Sequence, residues 1–478
     1  MSAASRPVIV GGGIAGLVAA LRLARSGASV VLLEREMALG GLLRSRRLPT
    51  GQYVDQGTHF LADTGIEDLD VLVRSMLPAS ELRRLAPLQA GTFAFGRLNV
   101  SSASLDIRGL GRDLEAQIVA EALCTEENGQ EASDLATHVM QLFGSTALRT
   151  VFDPIFKKLC GVGCAELAPD AMRLFSLARL VALNPAATRR LKSTPHGDAR
   201  FSFHSNDEGK NPASAYYPTH GGIGRWTEAL ARAVQDEGVE VRLGTSVQRV
   251  TRHRDSTVSL SLSNGDHLAS DLLVWSVPSG MLLRALGEPP ESMPQVRASI
   301  IEHFVFDRPF LVGAHYVHTY GPDVGPFRVT LYPNFTDVPS EGFACTVETF
   351  AEATASVPLD QHADQSHADL VRMGLVDPRA TRLWSDAPPD RAAFPVWTKN
   401  HRLALLRQRE RVEQLLPECI LIGRATGKDF FMTDVLRDTW RRCDAVLQQQ
   451  NSLRASDPSR GGPPNDHAVL DGSVRDVA

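Results

Sequence analysis

Gly11, Gly13 and Gly16, with a carboxylate at Glu34, carry the spacing of a dinucleotide cradle. The first glycine permits a tight turn, the second lets backbone approach a pyrophosphate, and the third lets a helix pack closely on a strand. Ile14 and Ala15 fill the turn between them, and Arg35 follows Glu34. Glu34 lies 18 residues past Gly16, where a carboxylate accepts the hydroxyls of an adenosine ribose. A second glycine pair, Gly40-Gly41, runs on through Leu42 to Arg44. Two further stretches hold groups that move protons. One is Asp55-Gln56-Gly57-Thr58-His59, in which Gly57 permits a close backbone approach. The other is Tyr216-Tyr217-Pro218-Thr219-His220-Gly221-Gly222. His59, Tyr217 and His220 are the candidate acid–base or substrate-contacting groups.

The elements that must position these residues are legible around them. Val8–Val10 is a short apolar run, as in a strand buried on both faces. A helix is expected from about Ile14 to Ser26, with Leu17, Ala20, Leu21 and Ala24 on one face and Gly27 closing it. Its N-terminus offers free N–H groups and the positive end of its dipole to phosphate. Val30–Leu33 is a second strand, ending at Glu34. Further along, Gly238–Val250 reads as a strand, a turn and the start of an antiparallel set. Val258, Leu260 and Leu262 alternate with serines up to Asn264-Gly265, which predicts a type I′ hairpin. Leu272–Trp275 and Ile420–Ile422 read as two more buried strands, the latter ending at Gly423-Arg424. Thr433 is placed to cap a helix from about Asp434 to Gln449.

The segment Gly40-Gly41-Leu42-Leu43-Arg44-Ser45 resembles the extended fingerprint of the flavin-containing amine oxidase, protoporphyrinogen oxidase and phytoene desaturase superfamily. The resemblance implies an α/β fold: a Rossmann-like FAD-binding domain intertwined with an α+β substrate domain. It implies FAD as cofactor, with Arg44 along the pyrophosphate or flavin, Gly57, Thr58 and His59 near the ring, and Val247 pairing its backbone with the adenine edge. It further implies that Gly423 and Arg424 approach the ribityl chain. The first turn of the last helix, with Met432, Thr433 and Val435, then points at the flavin, where its dipole stabilises reduced flavin. Arg424 and Phe394-Pro395 resemble the UDP-galactopyranose mutase-like branch. The implied activity is oxidoreduction, an oxidase, dehydrogenase or desaturase taking a hydride onto flavin N5. A redox-neutral mutase and a noncatalytic FAD-fold protein are the alternatives.

The 478 residues suffice for two or three domains. The expected division assigns 1–65, 216–290 and 406–450 to the FAD-binding domain, 66–215 and 291–405 to the substrate domain, and 451–478 to a disordered tail. Residues 192–214 read as a mobile loop over the site. Net charge is −5, which gives no footprint for nucleic acid. Six scattered cysteines lack metal-ligand spacing and suit a reducing compartment, so a cytoplasmic location and no metal are expected. No signal peptide and no run of roughly 18 apolar residues is evident. The expected partners are a small-molecule substrate and O2 as electron acceptor, in a monomer or homodimer.

Overall fold

The computed structural model describes residues 6–125, 131–205, 208, 214–291, 295–336, 341–352, 359–388 and 392–455. Its first sheet is five-stranded and parallel, in the order Glu240–Arg242, Val31–Leu33, Pro7–Val10, Leu272–Trp275, Ile420–Leu421. The strands alternate two apolar faces, which is why each reads as a continuous apolar run. Ile9, Leu32 and Val274 meet the helices Ile14–Ala24, Gly224–Asp236 and Met432–Ala455. Val8, Val10, Leu33, Leu273 and Trp275 meet a three-stranded antiparallel sheet and the helix Lys399–Leu415. Fully burying each such side chain stabilises by roughly 1.5–3 kcal/mol. This is the expected α/β cofactor fold, and it is assembled from the beginning, middle and end of the chain.

The second sheet has eight strands and carries the other half of the site. Val296–Phe306, Phe343–Glu352, Arg328–Leu331 and Tyr316–Thr319 follow one another antiparallel, and Tyr316–Thr319 then pairs parallel with Ala90–Ala94. Period-two alternation gives this sheet two unlike faces. Phe304, Val317, Val329, Cys345 and Val347 pack under the helix Leu359–Arg372. Residues one step out of phase — Tyr316, His318, Arg328, Thr330, Thr346 and Glu348 — therefore face the other way, toward the first sheet's loops. A third core is helical, built on Arg112–Cys124, Leu135–Ala147 and Asp153–Cys160.

Several local expectations change. The last helix runs Met432–Ala455, and the Val435 N–H donates to Phe431 O. Thr433 thus lies inside the first turn, not at its cap, because the helix begins one residue before it, at Met432. The Asn264-Gly265 hairpin is not type I′, which needs both central residues at positive φ; only Gly265 (φ 88°) is there. Phe95 (φ 52°) and Gly96 (φ 68°) make that pair instead, between Ala90–Ala94 and Arg97–Asn99. Part of the expected mobile loop is the helix Pro195–Arg200, with Arg200 buried at its end; 206–207 and 209–213 lie outside the described residues, as do 456–478 of the expected tail. Lys158 is half-buried. Its ammonium donates to Gly321 O and Pro326 O at 2.8 Å each, tying the helical core to the second sheet, and burial pulls its pKa down to about 7.

Candidate functional site

The first glycine turn is closed on itself and open to the outside. A Cβ on Gly16 would lie 1.8 Å from Gly11 O, and one on Gly11 (φ 104°) would lie 2.3 Å from Ser276 Oγ. A Cβ on Gly13 would meet no protein atom within 4 Å. The backbone at the helix N-terminus is thus uncovered at Gly13. Ile14 is half-buried and Ala15 buried beside it.

Two distant pieces of chain come to this turn. Gly40 N–H donates to Gly12 O at 2.9 Å, and a Cβ on Gly41 (φ 57°) would be 3.2 Å from Gly13 Cα. A Cβ on Gly423 (φ 57°) would be 2.9 Å from Ala15 Cβ and 3.5 Å from Val435 Cγ1. So the second glycine pair, Gly423 and the start of the last helix converge on one point. Glu34 is held there too: its carboxylate accepts the Gly12 N–H at 2.6 Å and the Glu36 N–H at 2.8 Å. Thr245 N–H donates to Glu34 O, which sets Val247 two residues beyond the residue paired with Glu34. Arg44 Nε donates to Gly41 O at 3.0 Å. Arg35 pairs with Glu36 on the exterior, and Leu42 is exposed. Met432 and Thr433 occupy the first turn of the last helix.

Beneath the glycine turns lies a buried polar junction centred on Asp55. Its carboxylate accepts Ser45 Oγ at 2.6 Å, Tyr217 OH at 2.7 Å and the Ile223 N–H at 3.1 Å. Its own N–H donates to Tyr332 OH at 2.7 Å, and Tyr332 continues to Thr346 Oγ1 at 2.8 Å. Ser45, Tyr217, Ile223 and Tyr332, from three separate stretches of chain, meet on this one residue. Burial outweighs the three hydrogen bonds and pushes the Asp55 pKa up to about 6. Gly222 (φ 65°) is glycine for the same junction, since its Cβ would lie 2.5 Å from Asp55 Oδ1.

The loop Gly57-Thr58-His59 rests on the inward face of the second sheet. Thr58 N–H donates to Glu348 Oε1 at 3.2 Å, and a Cβ on Gly57 would be 2.8 Å from Glu348 Oε2. Glu348 is held by Arg328 through two bonds of 2.6 and 2.8 Å. His59 is half-buried beside this pair. Burial first, then Arg328, pulls its pKa down to about 4, with a smaller contribution from Arg424. Burial and Arg328 likewise take His318 down to about 3. Tyr316 stands edge-on to His318 at 5.3 Å and stacks on Phe60 at 6.0 Å. Arg424 caps the ring of Phe430 at 4.4 Å, and Phe430 packs against Phe394 and Trp397. The wall is thus aromatic, with one paired guanidinium–carboxylate group and neutral imidazoles.

Of the three acid–base candidates, the structure brings only His59 to this wall. Tyr217 is buried, tilted against Phe335 at 4.8 Å and committed to Asp55. His220 is exposed on the outside, 3.5 Å from Glu81. Asp55, Arg328 and Glu348 were not singled out from sequence. Asp55 stood inside a quoted motif, while Arg328 and Glu348 sit out of phase with the apolar residues of their strands, which is the signal that finds them.

Arg328→Met is expected to leave the buried Glu348 carboxylate without its cation and to cost about 3–5 kcal/mol of stability. Adding Glu348→Met is expected to restore much of it. Urea denaturation of the two single variants and the double variant measures the coupling.

A family model, described as flavin containing amine oxidoreductase, matches residues 14–375, which take in the second glycine pair and most strands of the second sheet. The chain belongs to this family. Among curated relatives, the phytoene dehydrogenase of Streptomyces griseus is 29% identical over 337 residues, 66% of this chain and 63% of that one. The hydroxyneurosporene desaturase of Cereibacter sphaeroides is 27% identical over 314 residues, 61% and 60% of the two chains. The matches thus span less than two thirds of these relatives. In fold the family member is similar to reduced UDP-galactopyranose mutase, with a TM-score of 0.72 at 16% identity over 95% of this chain and 98% of that one. The family is one of flavin-containing proteins. Among the described residues there is no helix long and apolar enough to cross a membrane and no group of three metal-ligating side chains.

Proposed function

We propose that the chain binds FAD and dehydrogenates a small organic substrate. The backbone uncovered at Gly13, with Gly41 beside it and Gly423 against Ala15, is the observation that carries this reading. Gly11 to Gly16 and the helix end at Ile14 would hold the pyrophosphate, Glu34 the adenosine ribose, and Val247 the adenine edge. Arg44, Gly57, Thr58, Arg424 and the helix turn Met432–Val435 would surround the rest. When bound, FAD supplies the acceptor for the hydride at its N5 and passes the electrons on to O2 or another oxidant.

The residues of this chain orient the substrate and exclude water. Burial holds the pKa values of His59 and His318 well below the usual imidazole range, which suits them to line the site and hydrogen-bond in the neutral form. The aromatic wall of Tyr316, His318 and Phe430 suits an unsaturated or apolar body. The names of the two curated relatives support loss of hydride and proton across a C–C bond over loss beside nitrogen.

The test is anaerobic mixing of the yellow protein with a polyene or an amine. Bleaching by substrate and recolouring on admission of air is the expected result. Bleaching only by dithionite or NAD(P)H would favour redox-neutral mutase chemistry, and no response to any of these would sink the enzyme reading.

A further inference from the structure

Two adjacent lysines near the end of the helix Asp153–Cys160 are used differently. Lys157 is exposed and pairs with Asp153 at 2.7 Å, one turn back. Lys158 is half-buried, and its ammonium meets four acceptors on one short piece of chain. Gly321 O and Pro326 O lie at 2.8 Å each, Thr319 O at 3.3 Å and Thr319 Oγ1 at 3.4 Å. The carboxylates whose charge it feels, Asp323 and Asp369, make no hydrogen bond to it among the described residues; Asp369 is committed to the Gly325 N–H at 2.8 Å.

This piece of chain is the turn between the strands Tyr316–Thr319 and Arg328–Leu331. Pro322 and Pro326 have no N–H, so its carbonyls outnumber its donors. Gly321 and Pro326 are buried, and among the described residues their carbonyls accept no backbone N–H. A buried carbonyl without a donor is costly. An ammonium, with three N–H groups and no acceptor, can satisfy several at once. At the base of the turn, Thr319 N–H donates to Phe327 O and Phe327 N–H to Glu348 O, at 2.8 Å each. His318 and Arg328 stand opposite each other in register just below. Arg328 holds Glu348, and Glu348 accepts the Thr58 N–H. A line of contacts thus runs from Lys158 to the loop Gly57-Thr58-His59.

We propose that Lys158 is a positioning residue of the substrate wall: its ammonium gathers the carbonyls of Thr319, Gly321 and Pro326 and so fixes where His318 and Arg328 stand. The inference rests on the reading of that sheet face as the wall of the flavin site. Asp369 and Arg372, on the helix Leu359–Arg372, hold the same turn through Gly325 N–H and Asp323 O. Removal of Lys158 should therefore displace the turn without unfolding the sheet.

The experiment is hydrogen exchange read by mass spectrometry, on the protein with and without flavin, together with the visible spectrum of the flavin-loaded form. In Lys158→Ala the amides of 316–331 should exchange about tenfold faster or more, as loss of hydrogen bonds from a charged group predicts. Those of the helix Arg112–Cys124 should be unchanged, and the visible flavin bands should shift. Added n-propylammonium, which supplies the atoms removed, should restore both readouts. Propyltrimethylammonium, which has the charge but no N–H, should restore neither. Lys158→Met keeps an apolar stem without donors; it should show the same losses and is the variant to read if Lys158→Ala fails to fold. Unchanged exchange over 316–331 would overturn the proposal, as would equal rescue by propyltrimethylammonium. Exchange that rises equally in Arg112–Cys124 would make Lys158 a general packing residue, and a loosened turn with unmoved flavin bands would break its link to the wall. Faster exchange, shifted bands and rescue in a protein that no substrate bleaches would leave this inference standing while the enzyme reading falls.

Discussion

Replacing Asp55 by alanine is expected to destabilise the protein by about 3–5 kcal/mol, since several buried donors lose their acceptor together. Ser45 Oγ, Tyr217 OH and the Ile223 N–H all end on that carboxylate, and its backbone is tied to Tyr332. A loss of this size is a large share of the stability of an ordinary domain. Asp55→Asn tells the charge apart from the hydrogen bonds. In the native protein the Asp55 pKa is raised, to about 6, above the ordinary value of 3.8. A raised carboxyl holds its proton more tightly folded than unfolded. Stability from this group is therefore full below about pH 4 and falls as pH rises toward 6, by about 3 kcal/mol in all. Asparagine has no proton to lose, so Asp55→Asn should flatten the stability profile between pH 4 and 6. Thermal melts of native protein and both variants across that window check the magnitude and the sign. An unchanged slope in Asp55→Asn would mean that another group sets it.

The second large effect separates two glycines that look alike in sequence. Gly16→Ala is expected to abolish flavin binding and to compromise folding, because its methyl would overlap Gly11 O at 1.8 Å with only backbone to give way. Gly13→Ala has no such clash in the protein. It should fold with an unchanged melting temperature when stripped of cofactor, yet lose flavin affinity by about 2–3 kcal/mol or more, because the methyl occupies the space in which a phosphate would approach backbone. The readouts are visible flavin absorbance after reconstitution and the melt of the apoprotein. Tight flavin binding by Gly13→Ala would contradict the placement of the diphosphate.

The strands and turns of the cofactor fold could be read from the chain because each is specified locally. Val8–Val10 must be apolar on both faces, and Gly11 and Gly16 must lack a side chain whatever the distant context. The same holds for Gly40-Gly41, whose partner across the turn is Gly13. The polar wall was harder to read. Arg328 and Glu348 are ordinary charged residues in strands until the register pairs them, and that register is set by the apolar residues on the opposite face. Tyr217 shows the limit from the other side. Its motif suggests substrate contact, but a hydroxyl four residues before a glycine pair is equally what a buried carboxylate needs, and only Asp55 decides between them. His220 sits two residues past the end of the strand Ala215–Pro218, on a turn, so nothing in the pattern told inside from outside. Thr433 was misread as a cap because polar residues in a first turn and at a cap have the same local signature.

The parallel sheet pairs Leu273 with Val8 and Ile420 with Val274, so its edge strand leaves the ribosome long after its centre. At usual elongation rates the interval is on the order of 20–80 s. Through that time the nascent chain presents an apolar strand edge with no neighbour, and contacts of such high sequence separation form slowly even when available. Biogenesis of this protein should accordingly depend on chaperone occupancy and on cofactor supply after release, with soluble yield rising when flavin is abundant during expression.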